Sequence, residues 1–187
     1  MGRWEPNAPE RLSRAALELF AERGYENTTV IDIAQRAGLT KSTFFRHFQD
    51  KREVLFGGST LAGVLSDAVA AAPEDAAPLE AVGFAMEAVG REAFTAERRE
   101  FSVLRRSVIA AHPELREREA LKGLALTAAM SDALRGRGVP ELQARVAAEL
   151  GALAMTVAYE RWSGAEGGEF GEAARRALEE VRAAAAL

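Results

Sequence analysis

The residues whose types and spacing indicate chemistry most clearly lie between positions 29 and 48. This segment, TVIDIAQRAGLTKSTFFRHF, contains two short helical patterns separated by a tight turn at Gly38, which is the spacing of a helix-turn-helix. Phe44 and Phe48, four residues apart, are expected to hold the second helix to a core. The opposite face then presents donors to phosphates and base edges, as a helix in the DNA major groove requires. That face comprises Lys41, Ser42, Phe45 and Arg46, with Thr43 and His47 at its edges.

Neighbouring helices must position this face. A first helix is predicted before the motif, because apolar residues recur there at the spacing of one buried stripe. Thr29 is expected to cap the second helix, with Asp32 three residues later at the spacing of a capping box. Thr40 is expected to cap the third helix. Asp50 is expected to cap a fourth helix that continues to about Ala72. The stripe of the first helix is Leu12, Ala15, Ala16, Leu19 and Phe20.

The rest of the 187-residue chain also predicts helices, so the expected fold class is all-α. No segment alternates with period two over a useful length, and we therefore expect no sheet. The predicted domains are residues 1–57, a three-helix DNA-binding domain, and residues 58–187, a helical domain. The later helices are expected at about 78–95, 97–112, 113–136, 140–163 and 169–186.

Charge is unevenly distributed along the chain. The net charge of −4 argues against a general nucleic-acid-binding protein. Between positions 36 and 52, however, there are five basic residues and a single acidic residue, Asp50, which gives this short segment a net charge of +4. Such a basic patch is either a local DNA footprint or a solvated helical face. The five are Arg36, Lys41, Arg46, Lys51 and Arg52.

Composition and motifs exclude several function classes. The chain has no cysteine and two histidines, so we expect no disulfide, no metal site and no cofactor. No apolar run reaches the ~18–20 residues of a membrane span, and no secretory leader is visible. We therefore expect a cytoplasmic protein with no membrane partner. Enzyme motifs such as GxGxxG, a P-loop or HExxH are missing, so an enzyme is the unlikely alternative.

Over about residues 9–57, which include ALELFAERGYENTTVIDIAQRAGLTKSTFFRHFQDKREVL at 16–55, the sequence resembles the DNA-binding domain of the TetR family of transcriptional regulators. The resemblance implies that Thr29 and Thr40 bind phosphates at helix N-termini. It also implies base contacts for one group, Lys41, Ser42 and Thr43, and contacts with the DNA backbone for another, Phe45, His47 and Lys51. At Phe45 the family usually has tyrosine, and phenylalanine cannot donate a hydrogen bond to phosphate.

Residues 58–187 resemble the family only in architecture. The resemblance implies a domain that binds a small molecule and dimerises through its last two helices, here about 140–163 and 169–186. Two stripes are candidates for the partner-facing surface, although the first is equally typical of an internal core. The first stripe is Val146, Leu150, Leu153 and Val157, and the second is Phe170, Ala174, Ala177, Val181 and Ala184. The candidate ligand pocket is Met86, Phe101, Leu104, Met130, Met155, Tyr159 and Trp162.

The sequence therefore predicts a ligand-responsive regulator, most simply a repressor that binds a palindromic operator as a homodimer and is released by a small molecule. A constitutive DNA-binding regulator without a ligand is the alternative, and its mark would be a filled core in the second domain. The effector and the operator sequence stay open, as does activation instead of repression. Gly57 and Gly58 are either a soft joint in the fourth helix or a site of close helix packing.

Overall fold

The structure is a computed structural model that describes residues 7–56, 61–164 and 168–185. Within these ranges the secondary structure is helical, and no strand occurs in them, which confirms the all-α prediction. The helices are α1 (Ala8–Arg23), α2 (Val30–Arg36), α3 (Lys41–His47), α4 (Leu61–Ala70), α5 (Pro78–Ala93), α6 (Arg99–Ala111), α7 (Pro113–Gly136), α8 (Glu141–Ser163) and α9 (Phe170–Ala185). Helices α5 to α9 begin and end within two residues of their predicted bounds.

The chain forms two compact units. The first combines the described parts of Met1–Ser59 with Val103–Ala120, and the second combines those of Thr60–Ser102 and Leu121–Leu187. The described part of the predicted segment 1–57 therefore lies in the first unit, together with the end of α6 and the start of α7.

Helices α1, α2 and α3 pack on one another in the first unit. The predicted stripe of α1 is buried, with Leu12 and Ala16 fully inaccessible to solvent and Phe20 3% exposed. Beyond α1, Tyr25 returns to the same core, and its ring lies edge-on to Phe20 at 5.0 Å between centroids. The apolar periodicity of α1 thus builds the support on which the two later helices rest.

The predicted fourth helix is wrong at its start. Asp50 does accept a hydrogen bond from the Glu53 backbone amide, at 2.9 Å, but the structure that follows is a short 3-10 helix, Glu53–Leu55. Its end is fixed because Phe56 leaves the helical region at φ −120° and the Leu55 carbonyl accepts a hydrogen bond from Arg105. The glycines proposed as a joint, Gly57 and Gly58, lie outside the described residues.

The second unit is built around α4, α5, α8 and α9, and its core also includes Met130 and Leu134 of α7. Small residues allow the helices to approach closely. At Gly151 of α8, an added Cβ would overlap Val82 of α5. At Gly90 of α5, it would lie 2.9 Å from the ring of Phe170 in α9. Alanine and glycine on these inner faces replace the larger apolar side chains of an ordinary helical core.

The two candidate stripes for a partner subunit have different outcomes. The α9 stripe cannot face a partner as predicted, because Phe170, Ala174 and Ala177 are at most 2% exposed and pack within their own unit. On α8, by contrast, the inward face is alanine and glycine as far as Ala158, and Val146 and Leu153 are 49% and 53% exposed. The reading of the α8 stripe as a purely internal core is therefore wrong.

We expect Gly151→Ala to lower the free energy of unfolding by about 1–3 kcal/mol, because the new methyl group must displace Val82 from a packed core. Gly123→Ala on α7 is the matched control, since nothing lies within 4 Å of its Cβ position. It should raise stability by about 0.5–1 kcal/mol through the higher helix propensity of alanine. Denaturant unfolding of both variants measures this, and a stabilised Gly151→Ala protein would contradict the close packing.

Candidate nucleic-acid interface

The N-terminus of α2 is closed by the predicted capping box. The Thr29 hydroxyl accepts from the Asp32 amide at 3.2 Å, and the Asp32 carboxylate accepts from the Thr29 amide at 2.9 Å. The Thr29 hydroxyl and amide both donate to the Asp32 carboxylate and, together with the nearby Arg23 guanidinium, hold the pKa of this carboxyl below its usual range. The cap lets a helix of seven residues begin at a defined position.

The turn between α2 and α3 depends on Gly38. Its φ of +66° lies in the left-handed region that favours glycine. The Leu39 amide donates to the Ala34 carbonyl at 2.8 Å, which closes the end of α2. Arg11 of α1 donates to the Ala37 carbonyl, so the first helix also holds the turn. The direction in which α3 leaves the turn is therefore fixed from both sides.

Helix α3 is anchored by its cap and by two aromatic side chains. The Thr40 hydroxyl accepts from the Thr43 amide at 3.1 Å. Phe44 and Phe48 are 0% and 2% exposed, and their ring centroids lie 5.5 Å apart. Burial of both rings determines which face of α3 is turned to solvent.

The solvent face of α3 carries a shallow depression. It is lined by Lys41, Ser42, Phe45 and Arg46. The ring of Phe45 is 49% exposed, and the Lys41 Nζ lies 5.8 Å from its centroid. Among the described residues, no carboxylate forms an ion pair with Lys41 or Arg46. Both cations are therefore available to an anionic partner.

Of the residues assigned from the resemblance, the structure brings Lys41, Ser42 and Phe45 together on this face. Thr43 is half-buried beside them, and His47 is exposed at the last turn of α3, with its ring 6.5 Å from that of Phe48. The assignment omitted Arg46, although its place on the helical face opposite Phe44 and Phe48 was readable from the sequence. Thr29 and Thr40 are exposed, with their hydroxyls in the two helix caps.

Much of the basic patch predicted between positions 36 and 52 is neutralised. Both terminal nitrogens of the Arg36 guanidinium donate to the Glu22 carboxylate, at 2.9 and 2.7 Å, and a Glu18 carboxylate oxygen lies 3.5 Å from Arg36. This pairing holds the pKa of the Glu22 carboxyl below its usual range. Arg52 pairs with Asp50 at 2.8 Å. The cationic surface is therefore smaller than the sequence indicated and is centred on α3.

Lys51 is used by the fold. Its ammonium donates to the carbonyls of Tyr25 and Thr28, at 2.9 and 3.4 Å, and lies 4.0 Å from the centroid of the Tyr25 ring. Burial raises the pKa of the Tyr25 hydroxyl to about 12. Because Thr28 immediately precedes the α2 cap, these contacts hold the loop from which α2 starts. The placement differs from the one expected for a lysine directed only at DNA.

The seven pocket candidates fall into two groups. Met86, Met130 and Trp162 are about 1% exposed in the core of the second unit, and Met155 and Tyr159 pack against that core. The other two, Phe101 and Leu104, are half-buried outside this cluster, and Leu104 belongs to the first unit.

Sequence reasoning missed an apolar groove of about 590 Å³ in the second unit. It lies between the start of α5, the start of α8 and the second half of α9. Leu142, which is 73% exposed, was the available signal, because it extends the α8 stripe by one turn. The lining is Ala77, Pro78, Leu79, Glu80, Leu142, Gln143, Val146, Ala147, Leu150, Arg175, Leu178, Glu179 and Arg182.

The fold and the α3 face define a helix-turn-helix protein, and comparison with known sequences agrees. Residues 12–56 match the family model described as bacterial regulatory proteins, tetR family. The chain is 42% identical over 84 residues to the HTH-type transcriptional regulator TcmR of Streptomyces glaucescens, covering 43% of this chain and 36% of that protein. It is 37% identical over 57 residues to the putative mycofactocin biosynthesis transcriptional regulator MftR of Mycobacterium tuberculosis, covering 30% and 29%.

Solved structures share the whole fold. SmeT, the repressor of the Stenotrophomonas maltophilia multidrug efflux pump SmeDEF, superposes with a TM-score of 0.59 at 20% identity, covering 96% of this chain and 90% of that one. FadR of Thermus thermophilus, a TetR-family repressor in complex with lauroyl-CoA, gives a TM-score of 0.52 at 24% identity, covering 93% of both chains.

In residues 12–56 the chain is similar to the tetR family of bacterial regulatory proteins. The family match lies in the helix-turn-helix region, and the aligned segments span about a third of the length of the two curated relatives. Among the described residues, no helix is long and apolar enough to cross a membrane. The same residues contain no group of three or more histidine, aspartate or glutamate side chains placed to hold a metal ion.

We expect Lys51→Met to lower the free energy of unfolding by about 1.5–3 kcal/mol, because two carbonyls lose a charged donor. Lys41→Met is the matched control, since its ammonium holds no carbonyl, and its effect should stay within about 0.5 kcal/mol. Chemical unfolding curves for the two variants test this. Equal stabilities would mean that the Lys51 contacts contribute nothing to the fold.

Proposed function

We propose that this protein is a DNA-binding transcriptional regulator that places α3 in the major groove of an operator. The observation that carries the proposal is the solvent face of α3. It presents two cations, a small hydroxyl and an aromatic ring on a short helix held by the Thr40 cap and two buried phenylalanines. A helix of this kind supplies both charge for phosphates and donors for base edges. The curated relatives, which are named as transcriptional regulators, support the same function.

Within this function, the side chains fall into two groups. Lys41 and Ser42 would contact base edges, since both lie in the first turn of α3 on its exposed face. Thr43 would lie at the border of that contact. Thr29, Thr40 and His47 would approach phosphates from exposed positions. Arg46 joins the surface that attracts the DNA backbone.

We expect Lys41→Ala to weaken specific DNA binding by about 1–3 kcal/mol and to relax sequence preference, because a base-edge contact is lost. A binding selection on random DNA first supplies the operator, and affinities for operator and random duplexes are then measured at several salt concentrations. Arg135→Ala is the control, as it also removes one positive charge but lies in α7 of the second unit. Identical ratios of specific to random affinity in both variants would refute the role of Lys41.

The regulator would act as a homodimer through α8 and α9. Leu142, Val146 and Leu153 project from α8 without apolar cover, being 49% to 73% exposed. The groove beside them is rimmed by both signs of charge, Glu80 and Glu179 against Arg175 and Arg182. An isologous interface places the same patch on both subunits, so acids of one protomer would meet bases of the other. On α9, the face that would contribute to the dimer interface is the one that carries Leu178, and not the one that carries the buried alanine stripe.

We expect Val146→Glu to convert the dimer into a monomer of 20.1 kDa at micromolar concentration, because the substitution buries a carboxylate in an apolar interface. Leu124→Glu on α7 is the control, since Leu124 is 65% exposed and lies outside the α8 stripe. Sedimentation velocity distinguishes the two species. A monomeric wild-type protein, or a dimeric Val146→Glu protein, would show that this stripe is not the interface.

A small-molecule effector would bind in the second unit, within the predicted domain 58–187. The candidate position is the cluster around Met86, Met130, Met155, Tyr159 and Trp162, since methionine side chains adapt readily to an inserted ligand. FadR, which has the same fold and contains lauroyl-CoA, supports an effector. Release of the operator would make the protein a repressor. The quantity to measure is the ratio of DNA dissociation constants with and without each compound of a metabolite library.

A further inference from the structure

Phe45 stands out on the polar surface of α3. The other large aromatic side chains described before the 3-10 helix, Phe20, Tyr25, Phe44 and Phe48, are at most 3% exposed, whereas Phe45 is 49% exposed. Its ring is held edge-on against Phe44 at 5.5 Å and 79° between planes. An apolar ring is thus presented to solvent in a fixed orientation, in the middle of the depression lined by Lys41, Ser42 and Arg46.

The chemistry of the ring restricts what it can contact on DNA. Phenylalanine has no hydroxyl group and cannot donate to a phosphate. Duplex DNA offers apolar carbon at the deoxyribose of the backbone and at the C5-methyl group of thymine in the major groove. The position of Lys41 favours the methyl group. Its ammonium lies one helical turn before Phe45 on the same face, 5.8 Å from the ring centroid, and is a donor suited to guanine O6 and N7.

We infer that Phe45 is a specificity-determining residue that reads thymine through its C5-methyl group, close to a G·C pair read by Lys41. Four residues of helix rise about 6 Å, and base pairs are spaced by about 3.4 Å. The thymine and the guanine therefore lie one or two base-pair steps apart in each half-site. Ser42, at the start of α3, is small enough to let the helix approach the bases.

This inference rests on the proposed DNA-binding function, and the test separates the two. The operator is first obtained by selection from random DNA. Each of its thymines is then replaced by deoxyuridine, which removes the methyl group and leaves base pairing, sugar and phosphate unchanged. Dissociation constants are measured for the wild-type protein and for Phe45→Ala.

One thymine in each half-site should respond. Its replacement should weaken wild-type binding about fourfold, and replacement in both half-sites about fifteenfold, since burial of one methyl group contributes about 0.8 kcal/mol and tenfold is about 1.4 kcal/mol. In Phe45→Ala the same replacements should cost less than twofold. This loss of sensitivity is the coupling expected for a direct contact. Phe45→Leu retains an apolar side chain and should keep part of the response.

The failures are distinguishable. If no sequence is enriched in the selection, the proposed function itself is wrong. If an operator is found but no thymine responds, or if wild type and Phe45→Ala respond equally, Phe45 does not read the methyl group. Weaker binding of Phe45→Ala to every duplex, with no uracil effect in the wild type, would place the ring on deoxyribose. Should Phe45→Ala fail to fold, the wild-type uracil scan and the Phe45→Leu protein still decide the matter.

Discussion

Helix α3 is seven residues long, and in water a helix of that length would not persist, since isolated helices below ~12–15 residues are marginal. Its stability has to come from outside its own hydrogen bonds. Burial of Phe44 and Phe48 supplies most of it, while the Thr40 cap and the left-handed Gly38 fix where the helix starts. The polar face of α3 is held in place by the packing of its apolar face, so a substitution that disrupts the burial of Phe44 or Phe48 would also disorder the exposed side chains.

The fold also decides how much positive charge remains for a partner. Arg36 is engaged by Glu22, Arg52 by Asp50, and the Lys51 ammonium by backbone carbonyls. A cation held by a carboxylate adds little to the long-range field, because the two charges cancel at a distance. The net charge of −4 opposes general attraction to DNA, and the α3 face carries two cations without a carboxylate partner among the described residues. For the proposed DNA-binding function we therefore expect weak non-specific affinity, with base contacts supplying a large part of the discrimination.

Local signals in the sequence predicted local structure well. The Thr29–Asp32 capping box and the helix bounds after Pro78, Pro113 and Pro140 depend on residues a few positions apart, and the structure confirms them. The start of the helix expected to run on from Asp50 was wrong, because a short 3-10 helix forms there, and the Leu55 carbonyl at its end binds Arg105, fifty positions away in the sequence. The hydrogen bonds of the Lys51 ammonium could not be predicted from the sequence either, since their acceptors, the Tyr25 and Thr28 carbonyls, are distant in sequence. The sequence could not distinguish a stripe that faces the core from one that faces solvent on α8 and α9, because both kinds of stripe have the same helical period.

In the proposed dimer, helix α8 would link assembly to recognition. Its inner face as far as Ala158 is alanine and glycine at close approach to α5, and Leu142, Val146 and Leu153 lie outward. Burying such a stripe against a second copy would release apolar surface from water at about 25 cal/mol per Å². A single α3 carries two unpaired cations among the described residues, too few for tight binding at physiological salt. In the proposed dimer, the second half-site would be bound at the high effective concentration that tethering creates. The exposed apolar stripe of α8 would thereby compensate for the small number of cations on α3.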